Sequence, residues 1–171
     1  MSLHTSLSRF FLKRFLRERK DTSSTFKLAE NNYQSLLLVF QNQTDVARIV
    51  QSIKTIAGRT FSRIDYIIFT DNKSENAPEK GILSTRLVGM QGKFSAKGTQ
   101  PVHSSAYDII VDMCDVTELN LIHYLLKLSP QLFVRFNKEK GIFYNFIVPT
   151  GQKDLLARFE QFYRIFQTLS K

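Results

Sequence analysis

Apolar side chains along the chain form short continuous runs that alternate with longer segments of helical periodicity. The runs at 35–40, 64–70 and 106–113 are rich in branched side chains, which is typical of strands covered on both faces. Between the first two runs, apolar residues recur at a spacing of three and four, which predicts an amphipathic helix over 44–58. A strand, a helix and a strand in this order normally form a right-handed unit with parallel strands.

The ends of the predicted helices carry boundary signals. Thr44 is expected to cap the first helix, with Asp45 in its first turn and Gly58 at its C-terminal end. A second helix follows the third strand over 117–129. It ends before Pro130, because proline disfavours a helical conformation in the residue that precedes it.

The C-terminal third of the chain adds three elements. Two aromatic-rich runs at 131–137 and 142–149 flank a short loop that ends at Gly141, which predicts an antiparallel hairpin. Residues 152–171 form a strongly amphipathic helix, and one more strand is indicated within 81–89. The sequence therefore predicts a single α/β domain, with a mostly parallel sheet, a C-terminal antiparallel hairpin and flanking helices.

Charge is concentrated at the N-terminus. The 171 residues carry a net charge of +9, and residues 1–20 hold six basic side chains and one acidic side chain, so +5 lies in this basic segment. Its mixture of apolar and basic positions predicts a helix that docks on its own domain and leaves basic side chains in solvent. The predicted organisation is a basic helix and connector over 1–30 and an α/β domain over 31–171.

Composition excludes several classes of protein. A single cysteine, Cys114, allows no internal disulfide, and no apolar run approaches the ~20 residues that a membrane span needs. A cytoplasmic protein, or one at the inner face of a membrane, is therefore expected, although the first eighteen residues also have the composition of a mitochondrial transit peptide. No glycine-rich phosphate loop follows the first strand and the histidines show no ligand spacing, so neither a cofactor nor a metal is predicted.

Two functional hypotheses follow. The first is a non-catalytic binding protein whose basic segment engages an anionic partner, either RNA or the ribosome or an anionic membrane surface, because Lys and Arg binding to phosphates releases counterions. No small-molecule substrate is identified, and the oligomeric state stays open. The candidate contact residues are Arg9, Lys13, Arg14, Arg17, Arg19 and Lys20.

The second hypothesis is a small enzyme or ligand-binding protein. Asp71, Asp112 and Asp115 lie at or just after the ends of predicted parallel strands, and the carboxyl ends of such strands meet at one edge of a sheet. Three carboxylates there could hold a divalent cation or contact a substrate. Aspartate after a strand is also a common turn former, and a turn-forming role is favoured over a cation or substrate site for these residues.

The stretch from "AYDIIVDM" to "IFYNFIVP" resembles an uncharacterised family of small proteins from Bacteroidetes, a domain of unknown function. The counterparts of its motifs are Tyr107 to Met113, Leu128 to Arg135 and Tyr144 to Val148. The resemblance implies a basic N-terminal helix that belongs to the mature protein and a short α/β domain, and it supplies no activity. The chain departs from the family in having no tryptophan and in placing Arg135 where a glycine is usual.

Overall fold

A computed structural model of the chain describes residues 32–41, 45–70, 82–84, 106–115, 118–136 and 144–170. Within these ranges six strands form one sheet and three helices cover it. The predicted basic helix and connector at 1–30 lie outside the described residues. The elements are β1 Ser35–Gln41, α1 Val46–Ala57, β2 Arg63–Thr70, β3 Ile82–Ser84, β4 Ile109–Asp112, α2 Leu119–Lys127, β5 Leu132–Arg135, β6 Phe146–Ile147 and α3 Leu155–Leu169.

The sheet is parallel between every pair of neighbouring strands described, in the order β3-β2-β1-β4-β5-β6. Leu38 in the central strand β1 lies opposite Tyr66 of β2 on one side and Val111 of β4 on the other. The chain moves outward from β1 in one direction and then returns to start again at β4. The topological switch point therefore lies between β1 and β4.

The predicted C-terminal antiparallel hairpin is wrong. β5 and β6 are parallel, with Val134 opposite Phe146 and Arg135 opposite Ile147. The hydrophobic pattern could not separate the two arrangements, because side chains alternate with a period of two in either direction of pairing. The ten residues between the strands can span roughly 33 Å, which is enough to return along a strand of about 13 Å. The turn predicted at 138–141 lies outside the described residues.

A side chain completes the edge of β5 ahead of β6. The Asn145 amide accepts a hydrogen bond from the Phe133 backbone N–H at 2.7 Å and donates one to the Gln131 carbonyl at 2.7 Å. These bonds satisfy backbone groups that a longer β6 would otherwise pair. The parallel arrangement is thereby fixed where β6 itself is only two residues long.

The two faces of the sheet are covered by different helices. In β1 every residue from 36 to 40 has an exposed fraction of 0%, which is the physical reason for its uninterrupted apolar run. α1 and α3 cover one face, and α2 covers the other. The first face buries Leu36, Leu38, Phe40, Val50, Ile53, Phe159 and Phe162, and the second buries Leu37, Val39, Ile110, Leu121 and Leu125.

The three helices match the predicted segments, with shifts at their ends. Asp45 rather than Thr44 precedes α1, and Thr44 lies outside the described residues, whereas Gly58 follows the helix as predicted. α3 begins after Asp154, whose side chain accepts a hydrogen bond from the Ala157 N–H at 2.8 Å. Among the described residues, no helix is long and apolar enough to cross a membrane.

Candidate functional site

The carboxyl edge of the sheet is where a ligand site is expected in an open parallel sheet. α1 and α2 each follow a strand directly, so their amino ends lie at this same edge. The pairing of β1 with β4 continues past the last residue of β4, because the Met113 N–H donates to the Val39 carbonyl at 2.9 Å. Two buried polar residues are described near this point, Asp112 at the end of β4 and Arg135 at the end of β5.

Three polar side chains meet at that position, and we call Asp112, Arg135 and Tyr144 the edge cluster. The Tyr144 hydroxyl donates a hydrogen bond to Asp112 Oδ2 and accepts one from Arg135 Nη1 at 2.9 Å. The three residues are only 2%, 3% and 7% exposed. A buried arrangement of two charged residues joined by a tyrosine is unusual, because charges are rarely buried without direct partners.

The strands position the edge cluster. β4 and β5 are in register with Asp112 directly opposite Arg135, so both side chains project from the same face of the sheet. Asp112 Oδ1 also accepts the Cys114 backbone N–H at 3.0 Å. The Tyr144 ring lies 4.4 Å from the Phe133 ring, and the Arg135 guanidinium carbon lies 5.0 Å from the centroid of the Tyr144 ring.

Burial dominates the electrostatics of the edge cluster. It raises the pKa of the Asp112 carboxyl, although hydrogen bonds from Tyr144 and Cys114 and the charge of Arg135 act in the opposite direction. Burial, together with the neighbouring Asp112, also raises the pKa of the Tyr144 hydroxyl. The same two causes raise the pKa of the Cys114 thiol well above its usual range. Tyr144 therefore remains a hydrogen-bond donor, and Cys114 is a buried thiol rather than a nucleophile.

Arg135 is the incompletely satisfied member of the edge cluster. Its Nε is buried and has no hydrogen-bond partner among the described residues. Within the same ranges, the ion pairs that form join other arginines to carboxylates and do not include Arg135. A buried guanidinium N–H that has lost water and gained no acceptor costs free energy.

Asp115 belongs to a different arrangement. Its Oδ1 accepts a hydrogen bond from Arg158 Nη1 of α3 at 2.7 Å, and its side chain is 73% exposed. Arg158 also donates from Nε to the Gln152 carbonyl at 2.7 Å. Asp112 and Asp115 thus bind different partners. No group of three or more His, Cys, Asp or Glu side chains that could hold a metal ion occurs in the part of the chain that the structure describes.

The opposite edge of the sheet carries the same residue types in another arrangement, Arg63, Asp65 and Tyr107, which we call the amino-edge triad. The Tyr107 hydroxyl donates to Asp65 Oδ2 at 2.7 Å and accepts from Arg63 Nη2 at 2.6 Å. Arg63 Nε also donates directly to Asp65 at 2.6 Å, and these two side chains are 40% and 44% exposed. Arg63 and Asp65 are therefore directly paired and in contact with water, whereas Tyr107 is buried.

The structure accounts for the predicted site residues unevenly. Asp71 lies outside the described residues, as do Arg9, Lys13, Arg14, Arg17, Arg19 and Lys20. Asp112 lies in the edge cluster, whereas Asp115 pairs with α3. Arg135 and Tyr144 are not among the site residues predicted from the sequence. The signal for Arg135 was available, because it is a charged residue within the apolar strand "LFVRF".

The chain belongs to a family of unknown function (DUF6913), whose model matches residues 5–169. The expected membership of an uncharacterised family is thereby confirmed, and the matched range includes the basic positions at 9–20. No curated protein and no solved structure matches the chain. The function must therefore be argued from the residues themselves.

Proposed function

We propose that this protein is a non-catalytic binding protein that engages RNA, free or in the ribosome, through its basic segment. The observation that carries the proposal is the separation of charge along the chain. The described residues contain nine Lys and Arg side chains and eight Asp and Glu side chains, a net charge of +1. Residues 1–20 contain six basic side chains and one acidic side chain.

Three basic side chains of the α/β domain have neighbouring carboxylates within it. Arg63 pairs with Asp65, Arg158 pairs with Asp115, and Arg164 lies 4.0 Å from Glu160. Such cations have neighbouring carboxylates that reduce their attraction for phosphate. The charge excess available to a polyanion therefore comes mainly from the segments around the described domain, of which the basic segment is the most strongly charged.

The chemistry of the described residues supports a binding role. Burial raises the pKa values of Asp112, Cys114 and Tyr144, and these residues are hydrogen-bonded to one another inside the fold. The alternative carboxylate site gains no support from Asp112 and Asp115, since each binds a different partner.

The test compares two matched neutralisations in the full chain. One variant replaces Arg9, Lys13 and Arg17 by Gln, and the control replaces Arg48, Lys54 and Arg59, which are exposed positions in and just after α1, also by Gln. Both variants lose three positive charges. We expect the first to lose co-sedimentation with ribosomes and binding to a structureless RNA at low salt, and the control to retain both.

The same two variants are tested against vesicles of phosphatidylglycerol and phosphatidylcholine. Loss of vesicle binding in the first variant, with no RNA or ribosome binding by the unmodified chain, would replace RNA by a membrane surface as the partner. Equal losses in the two variants would show that net charge alone matters. Unchanged RNA binding in the first variant would refute the role of the basic segment.

A further inference from the structure

The edge cluster contains a buried positive charge that the described residues do not pair directly with a carboxylate. Arginine stays protonated in proteins, so the 3% exposed Arg135 carries its charge inside the fold. Its described hydrogen bond is the one from Nη1 to the neutral Tyr144 hydroxyl. Burying a charge is costly unless it is paired, which makes this position one where an added anion would be stabilising.

The unpartnered Nε of the guanidinium has a defined position in the group. Nη1 is engaged by Tyr144, whereas Nε, which shares the side-on fork of the guanidinium with Nη2, has no partner among the described residues. That fork matches two oxygens of a carboxylate or phosphate. No ion pair joins Asp112 to this fork among the described residues, and the Asp112 oxygens accept hydrogen bonds from Tyr144 and from the Cys114 N–H instead.

The surroundings also favour negative charge. The amino ends of α1 and α2 lie at the same edge of the sheet, on its two faces, and neither first turn contains an acidic residue. Within the described residues, Asp45 and Glu118 precede these helices without forming a side-chain cap hydrogen bond. The dipole of α2, which lies on the same face as Tyr144, favours an anion, although Glu118 already places one negative charge before this helix, and the switch point lies one strand away.

We propose that the edge cluster is the binding site for a small oxyanion, the carboxylate or phosphate group of a small molecule, and that Arg135 binds it through its side-on fork. Tyr144 is a positioning residue, because its hydroxyl and ring fix the plane of the guanidinium. Asp112 holds the Tyr144 hydroxyl in place as a hydrogen-bond acceptor. This site is independent of the basic segment and of the proposed RNA partner.

The test uses inorganic phosphate and malonate as probes, with sodium chloride at equal ionic strength as the reference. We expect at least one probe to bind the full chain by calorimetry and to raise its melting temperature above the chloride reference. Arg135→Lys keeps the charge and loses the fork, so we expect its affinity to fall about tenfold or more. Arg63→Lys in the amino-edge triad is the matched control and should leave the affinity unchanged.

A spectroscopic measurement on the unmodified chain tests the same proposal if Arg135→Lys does not fold. In nuclear magnetic resonance spectra of the unmodified chain, the Nε–Hε signal of Arg135 is assigned by through-bond correlation. This signal should shift during the titration with phosphate or malonate and should not shift with chloride. Binding of phosphate alone would assign a phosphate ligand, and binding of malonate alone a carboxylate ligand. If neither probe exceeds chloride, or if only other arginine signals shift, the proposal is wrong.

Discussion

Replacing Tyr144 by Phe would test how the edge cluster is held together. The substitution keeps the ring and its packing on Phe133, and it removes only the hydroxyl. That hydroxyl is the donor to Asp112 and the acceptor for Arg135. Its loss leaves two charged, buried side chains without the group that joins them. Tyr107→Phe makes the same chemical change in the amino-edge triad, where Arg63 and Asp65 remain directly paired and accessible to water.

The magnitudes follow from burial and from what remains paired. Tyr144→Phe removes two buried hydrogen bonds to charged side chains, and at about 1.5–3 kcal/mol for each we expect a total loss of about 3–5 kcal/mol. Tyr107→Phe also removes two hydrogen bonds, but their partners Arg63 and Asp65 stay paired with each other and accessible to water, so we expect a loss of only about 1 kcal/mol. For a domain of this size, each kcal/mol lowers the melting temperature by about 2–4 °C. The melting temperature should therefore fall by about 6–20 °C in Tyr144→Phe and by about 2–4 °C in Tyr107→Phe.

Urea denaturation of both variants and the unmodified chain provides the assay, with the midpoint and slope fitted together. The expected result is a much lower midpoint for Tyr144→Phe at an unchanged slope. Equal free-energy losses in the two variants, or a smaller loss for Tyr144→Phe, would refute the reasoning that burial makes the edge cluster the more costly one to break.

Two further predictions concern charged groups elsewhere in the fold. Burial acts to raise the pKa of Asp108, but hydrogen bonds from the Ser35 hydroxyl and the backbone N–H groups of Gln34 and Ser35 outweigh it and lower the pKa. Asp108→Asn should therefore be less stable than the unmodified chain by about 1 kcal/mol at pH 7. The difference should shrink as the pH falls below about 4, and a difference independent of pH in urea titrations would contradict this. Asp154→Ala should lower the free energy of unfolding by about 1 kcal/mol, because it removes the cap on the Ala157 N–H. Asp154→Asn should retain most of the stability, because asparagine can also cap a helix. Equal losses of stability in the two variants, measured by thermal melting, would disprove the cap.

The core of the fold could be predicted from the sequence because buried positions are occupied by apolar residues. Residues 36–40 are apolar without interruption since both faces of β1 are covered, and α1 and α3 show a clear apolar stripe. The direction of β6 could not be predicted in this way, because the apolar pattern is the same for parallel and antiparallel pairing. It depends on a connection and on the Asn145 side-chain bonds to β5, which are contacts between residues 12 and 14 positions apart.

The candidate site was harder to predict than the fold. The strand pattern placed Asp112 near the carboxyl end of β4, but it did not reveal that Tyr144 would be its partner, because the two are 32 residues apart. Arg135 and Asp112 become neighbours only through the register of β4 and β5. A single sequence fixes neither the order of the strands nor their register, so the pairing of these groups had to come from the structure.

The salt dependence of RNA binding tests the central proposal most directly. The measurement is the slope of log affinity against log salt concentration for a single-stranded RNA, for the full chain and for the variant with Gln at positions 9, 13 and 17. Each phosphate contact contributes about −0.7 to this slope, so the variant should be less steep by about 2, and the α1 control should match the unmodified chain. Identical slopes for the unmodified chain and the variant at 9, 13 and 17 would contradict the proposal that the basic segment contacts the phosphates.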